Sequence, residues 1–117
     1  MDERLRTVAK EGDTNALHEC IREDPNVLRH IDEVEFVDTP LHIATTRGHA
    51  GFSTTIMYLK PSFFRKLNQK VYSPIHLGLQ NEHTNAMLHL LAIDKDLVRL
   101  KGKEGYTTIH YRENYEE

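Results

Sequence analysis

Residues 39–49 read TPLHIATTRGH, and 34 positions later the chain reads SPIHLGLQNEH (73–83), then TTIHYRENYEE (107–117) after a further 34. A fixed period of this length decides the architecture before any single element is considered. The repetition extends beyond the histidine phrase. PNVLRHID (25–32), PSFFRKLN (61–68) and KDLVRLKG (95–102) share two apolar residues followed by Arg29, Arg65 or Arg99. LRTVAKEGD (5–13) aligns with LHIATTRGH (41–49), its motif degenerate. The units run approximately over residues 1–36, 37–70 and 71–104, with a partial unit at 105–117.

Each unit carries the physics of a short helix pair. Thr39 offers a hydroxyl to cap free backbone N–H groups, and Pro40 has the fixed φ that suits a first helical turn. Leu41, Ile43 and Ala44 supply apolar packing, and Gly48 fits the left-handed residue that closes a helix. A second helix follows, with Phe52, Ile56 and Leu59 at helical spacing. Met87, Leu90 and Leu91 take that place in the third unit, and Ala16, Leu17, Cys20 and Ile21 in the first. Helix pairs are therefore expected at 5–11 with 15–22, 41–47 with 51–59, and 75–81 with 85–92. Neither helix of a pair can bury its apolar stripe alone, so stacking of neighbours must build the core, with Leu41, Ile56, Leu77 and Leu91 between repeats.

Composition narrows the function classes. The chain has 117 residues, enough for about one domain, and its 38% apolar and 28% charged content is that of an ordinary soluble protein. Cys20 is the single cysteine, which argues for a reducing compartment. LHLLAI (88–93) is the longest apolar stretch, too short to cross a bilayer, so this chain is expected not to insert in a membrane. Net charge is −5 over residues 1–35, +5 over 36–103 and −3 over 104–117. The central excess is spread over several loops, not gathered into a run, so nucleic acid is not expected as a partner.

These residues resemble ankyrin repeats. Thr39-Pro40-Leu41-His42-Ile43-Ala44 matches the T-P-L-H-x-A signature position by position, Ser73-Pro74-Ile75-His76 is a conservative variant, and Thr107-Thr108-Ile109-His110 has lost the proline. The resemblance covers nearly the whole chain. It implies an all-α solenoid of about 3.5 helix-turn-helix repeats with short hairpin loops. The spacers Asp-Pro-x-Val-Leu (24–28) and Lys-Pro-Ser-Phe-Phe (60–64) resemble plant ankyrin proteins whose ankyrin domain precedes a membrane domain with a Pro-Gly-Gly motif. Such proteins act in defence and stress signalling, which makes the cytoplasm, or the cytosolic face of a membrane, the expected location.

Several residues depart from the pattern. The turn glycine before the motif survives only as Gly105, and Val37 and Val71 hold the equivalent places. A β-branched residue tolerates φ > 0 poorly, so both turns are expected to take another shape. Glu82 stands where Gly48 stands one repeat earlier, which should strain or fray that helix end. Arg112 replaces the small residue represented by Ala44 and Gly78. The fourth motif lacks the second helix that should cover Leu90 and Leu91. Residues 111–117 are therefore expected to fray, leaving the edge beside Met87–Leu91 partly exposed and open to weak self-association. A truncated fragment of a longer membrane-anchored ankyrin protein, without independent function, is the rival reading.

The eight histidines raise a metal hypothesis, since His42/His49 and His76/His83 repeat an H-x6-H spacing. Like positions in adjacent repeats lie about a repeat's thickness apart, too far to share one zinc at about 2.0–2.1 Å per nitrogen. The resemblance assigns the motif histidine a structural role, bonding backbone between repeats. His18-Glu19 begins an H-E-x-x-H, but Arg22 ends it. P-loop, G-x-S-x-G and C-x-x-C patterns are absent from the sequence, and Cys20 on an apolar stripe reads as a small buried hydrophobe. No cofactor and no catalytic activity are expected. In the ankyrin family, partners dock on a concave face of hairpin tips and first helices. Carried over by alignment, that face holds Glu35, Phe36, Asp38, Thr46 and Arg47, then Gln69, Lys70, Tyr72, Gln80 and Asn81, then Lys103, Glu104 and Tyr106. Tyr72 and Tyr106 lie one period apart beside Phe36, and aromatic anchors with a polar rim suit recognition of another protein.

Overall fold

The computed structural model describes residues 3–93, and over that range the local signals produce helices where the period demands them. Helices α1 (Glu3–Glu11) and α2 (Thr14–Glu23) form the first pair, α4 (Pro40–Arg47) and α5 (Ala50–Leu59) the second, α6 (Pro74–Gln80) and α7 (Thr84–Ile93) the third. Thr39 caps α4, its hydroxyl accepting from the Leu41 and His42 amides, and Ser73 caps α6 in the same way through His76. Both helices begin with proline, whose missing N–H would have had no partner there. Helix α4 packs between α1 and α6, while α5 lies against α2 and α7, so each pair covers the apolar stripe of its neighbours.

Two short elements went unforeseen. Helix α3 (Val27–Asp32) and a 3-10 turn (Pro61–Arg65) occupy the repeated apolar–apolar–Arg segments. Leu28 and Ile31 are buried from the first, Phe63 and Phe64 from the second, so these spacers are core and not linker. They are also tied together. Asp32 accepts from the Ser62 hydroxyl at 2.9 Å, lies 3.5 Å from the Lys60 ammonium, and its backbone carbonyl accepts from Lys66. The hairpin fingers amount to one isolated parallel bridge, Phe36 with Leu67, among the described residues.

The buried set corrects the expected one in part. Leu41 and Ile56 are fully buried, but Leu77 and Leu91 are only half-buried, and Leu59 is exposed. Ile75, Leu79, Met87 and Leu90 do the work assigned to Leu77 and Leu91. The helical wheel explains the shift: α6 turns its 75/79 stripe inward, which sends Leu77 to the other side. Of the edge expected to be partly exposed, Met87 and Leu90 are buried and Leu88 and Leu91 half-buried. Residues 111–117, and the fraying expected of them, lie outside the described residues.

The turns before the two motifs diverge. Val37 avoids positive φ, as expected, but Val71 does not: its φ is 67°. The cause is Asn68. Its side-chain oxygen accepts from the Lys70 and Tyr72 amides at 3.0 Å each, and its own amide donates to the Tyr72 carbonyl at 2.9 Å. Those bonds over-determine the loop, so Val71 is held where glycine would be at ease. One repeat earlier the equivalent residue is Val34, whose side chain has no acceptor, and the Val37 amide donates to the Leu67 carbonyl instead. Glu82 likewise takes φ 66°, matching Gly12 at 68° and Gly48 at 76°. The α6 end stays hydrogen-bonded all the same, the Glu82 amide donating to the Leu79 carbonyl and the His83 amide to the Gly78 carbonyl, so the expected strain is present without fraying.

Two outcomes are expected from equilibrium urea unfolding. Val71→Gly should stabilise by about 0.5–1 kcal/mol, because left-handed strain is relieved at an exposed side chain, whereas Gly48→Ala should destabilise. Leu41→Ala and Ile56→Ala should each cost about 2–5 kcal/mol, with Leu77→Ala well below that range.

Candidate functional site

The motif histidines are the fixed points from which the concave side is built. The Nδ1 atom of His42 accepts from the Thr39 amide at 3.0 Å and lies 2.9 Å from the Thr39 hydroxyl. An amide can only donate, so Nδ1 is unprotonated and the ring proton sits on Nε2, which donates to the Tyr72 carbonyl at 3.0 Å. One neutral ring thus closes a helix cap in its own repeat and holds the finger of the next. His76 repeats the first half of this arrangement on Ser73, with Nδ1 3.3 Å from the amide and 2.8 Å from the hydroxyl. Burial pushes the His42 pKa down to about 4, against the smaller opposing effects of the Tyr72 carbonyl and the Asp38 charge. Burial does the same for His76, also to about 4.

The second histidine of each H-x6-H pair points the other way along the stack. His49 Nε2 lies 2.8 Å from the Lys10 carbonyl, and His83 Nε2 lies 3.0 Å from the Thr46 carbonyl. Each ring lies over the left-handed glycine of the preceding repeat, so a Cβ at Gly12 would fall 2.7 Å from the His49 ring and one at Gly48 2.5 Å from that of His83. These two glycines are therefore required twice, for φ and for space. The rings that suggested metal spend their nitrogens on backbone, and among the described residues no three His, Cys, Asp or Glu side chains gather in a way that could hold a metal ion.

With the fingers fixed, two adjoining hollows open along the C-terminal ends of the first helices. One, of about 350 Å³, is lined by Asp38, Thr46, Asn68, Gln69, Lys70, Tyr72, Leu77 and Gln80. The other, of about 230 Å³, is lined by Lys10, Asp38, His42, Ile43, Thr46 and Arg47. Asp38 and Thr46 belong to both, so the two form one groove across three units. Within it the Asp38 carboxylate accepts from Asn68 Nδ2 at 3.0 Å, and the Thr46 hydroxyl donates to the His42 carbonyl at 2.7 Å.

Of the residues expected on this face, the groove gathers Asp38, Thr46, Arg47, Gln69, Lys70, Tyr72 and Gln80. It does not gather Phe36 or Asn81. Phe36 is held by its backbone bridge to Leu67 and keeps its ring 44% exposed outside the groove. Asn81 caps α6, its side-chain amide donating to the Leu77 carbonyl at 2.8 Å. Lys103 and Tyr106 lie outside the described residues. Five lining residues were not foreseen on this face: Lys10, His42, Ile43, Asn68 and Leu77. Lys10 was recoverable, since the alignment that pairs Gly12 with Gly48 also pairs Lys10 with Thr46.

No protein-family profile matches the chain. Among characterised proteins it is 36% identical over 69 residues to the ankyrin repeat-containing protein BDA1 of Arabidopsis thaliana, a match covering 59% of this chain and 16% of that protein. It is 27% identical over 73 residues to alpha-latrotoxin-Lhe1a of Latrodectus hesperus, covering 62% of this chain and 5% of the toxin. The chain thus spans a small part of the length of these relatives. Its fold matches a chain in the crystal structure of the yeast ribosomal protein Rps3 in complex with its chaperone Yar1. The TM-score is 0.73 at 21% identity, over 96% of this chain and 82% of that one. The chain has the fold of an ankyrin-repeat stack, its repeats joined through the signature histidines that first suggested it.

The tautomer argument makes stability depend on pH. His42 and His76 have folded pKa values near 4, below the unfolded value of 6.5. Between those limits the unfolded chain binds more protons, so stability is full above pH 6.5 and falls as pH drops towards 4. Each histidine should cost up to about 3 kcal/mol at the acid end. Urea midpoints measured from pH 7 to pH 4.5 should decline steeply, and the decline should be shallower in His42→Gln.

Proposed function

We propose that the chain is a non-catalytic protein-interaction module whose groove takes a segment of a partner protein. One observation carries this reading: a single open groove crosses three repeats and presents Lys70, Tyr72, Gln80, Arg47 and Asp38 from separate fingers and helix ends. Each of those side chains is placed by a backbone that the histidines and Asn68 hold rigid, so binding would cost little ordering. The structural relative, from a complex of a ribosomal protein with its chaperone, is in keeping with a protein partner. A cytoplasmic setting suits the buried Cys20 thiol. A role in plant defence or stress signalling is the finer proposal, supported by the Arabidopsis relative and by the spacer style shared with plant ankyrin proteins.

Tyr72→Ala tests the groove. Capture of partner proteins from plant extract by the immobilised chain should fall by about thirtyfold, the loss of one aromatic anchor worth about 2 kcal/mol, with the far-UV spectrum unchanged. Undiminished capture would move the interaction surface away from the groove.

A further inference from the structure

Among the described residues, Arg65 apart, the Lys and Arg side chains fall into two groups. Arg4, Arg6, Arg22, Arg29, Lys60 and Lys66 each sit in an ion pair with Glu23, Glu3, Glu19, Glu33 or Asp32. Lys10, Arg47 and Lys70 form no ion pair among the described residues, and all three line the groove. They come from three different units, so no local sequence run explains their convergence. Lys10 and Arg47 stand in last helical turns, where a cation complements the helix dipole. Lys70 has no such role, since it sits in the loop before α6.

The groove's one carboxylate, Asp38, accepts from Asn68, faces buried His42 and forms no ion pair with the three cations, so one negative charge stands against three positive ones. Ile43, Leu77 and the Tyr72 ring supply apolar wall between the charges. Resting on the protein-interaction reading above, we infer that the groove selects an acidic segment of its partner, with Asp or Glu opposite Lys10, Arg47 and Lys70 and an apolar side chain between them. The position of Asp38 decides against nucleic acid. It lies where the two hollows meet, so a continuous phosphate backbone would meet a fixed negative charge midway. A peptide can place a neutral residue there.

The test uses the full chain and a fluorescein-labelled peptide of Glu-Leu-Asp-Gly repeats, read by fluorescence anisotropy. The same peptide with Lys for each acid and a labelled oligouridylate serve as comparators. The acidic peptide should bind tightest and weaken with added salt. The triple variant Lys10→Gln, Arg47→Gln, Lys70→Gln should lose about tenfold in affinity, as three exposed ion pairs would. Asp38→Asn should bind the acidic peptide more tightly, and Arg22→Gln, remote from the groove, should leave it unchanged. Equal binding of acidic and basic peptides, tighter binding of the oligouridylate, or an unaltered affinity in the triple variant would overturn the inference. If a native partner is lost on Tyr72→Ala yet not displaced by the acidic peptide, the groove reading stands and the acidic class falls.

Discussion

A single neutral imidazole, that of His42, holds one repeat to the next. Its unprotonated nitrogen receives the Thr39 amide and its protonated nitrogen reaches the Tyr72 carbonyl. That carbonyl also accepts from the Asn68 amide, so the third unit's finger is pinned by two donors. A buried polar ring is stabilising only when both nitrogens are satisfied, and here both are. The site is unforgiving for the same reason. Any substitute must accept at one end and donate at the other across the width of an imidazole.

The second histidines return the connection in the opposite sense. His42 reaches forward to the following repeat, while His49 and His83 reach back to the Lys10 and Thr46 carbonyls. The middle unit is thereby fastened to its neighbours at both ends of its first helix. The carbonyls chosen are those that a helix end leaves without partners. Nearest-neighbour fastening of this kind makes stability a sum over interfaces, which a short stack needs because no one helix pair buries a core alone. Glu82 breaks the pattern: the position that is glycine under the His49 and His83 rings carries a side chain there.

The groove follows from this rigidity. The histidines fix the fingers, the fingers set Asp38, Lys70 and Tyr72 opposite the helix ends, and the helix ends supply Lys10, Arg47 and Gln80. Charge is sorted accordingly. Six cations elsewhere are paired within or between helices or in the Asp32 cluster, whereas the three along the groove stand without an ionic partner among the described residues. On the proposed reading this unevenness is what a partner's acidic segment would meet.

The repeat and the helix caps were legible in the chain because each depends on local chemistry recurring at a fixed period, while the role of the motif histidines came from the resemblance to ankyrin repeats. A hydroxyl before a proline starts a helix wherever it occurs, and the rows of residues on the concave side could be counted from the motif. Leu77, Val71 and Asn68 were misjudged or missed for one shared reason. Leu77 and Ile75 are equally apolar, and only packing against α4 and α7 decides which faces inward. Val71 is pushed to positive φ by three hydrogen bonds from a residue three positions away, where propensity alone forbids it. Periodicity placed Lys70 and Tyr72 at a fingertip, but it could not bring Lys10 within the same groove or leave it without an ion-pair partner. Residues far apart in the chain acquire a common surface only when stacking sets the distances between repeats.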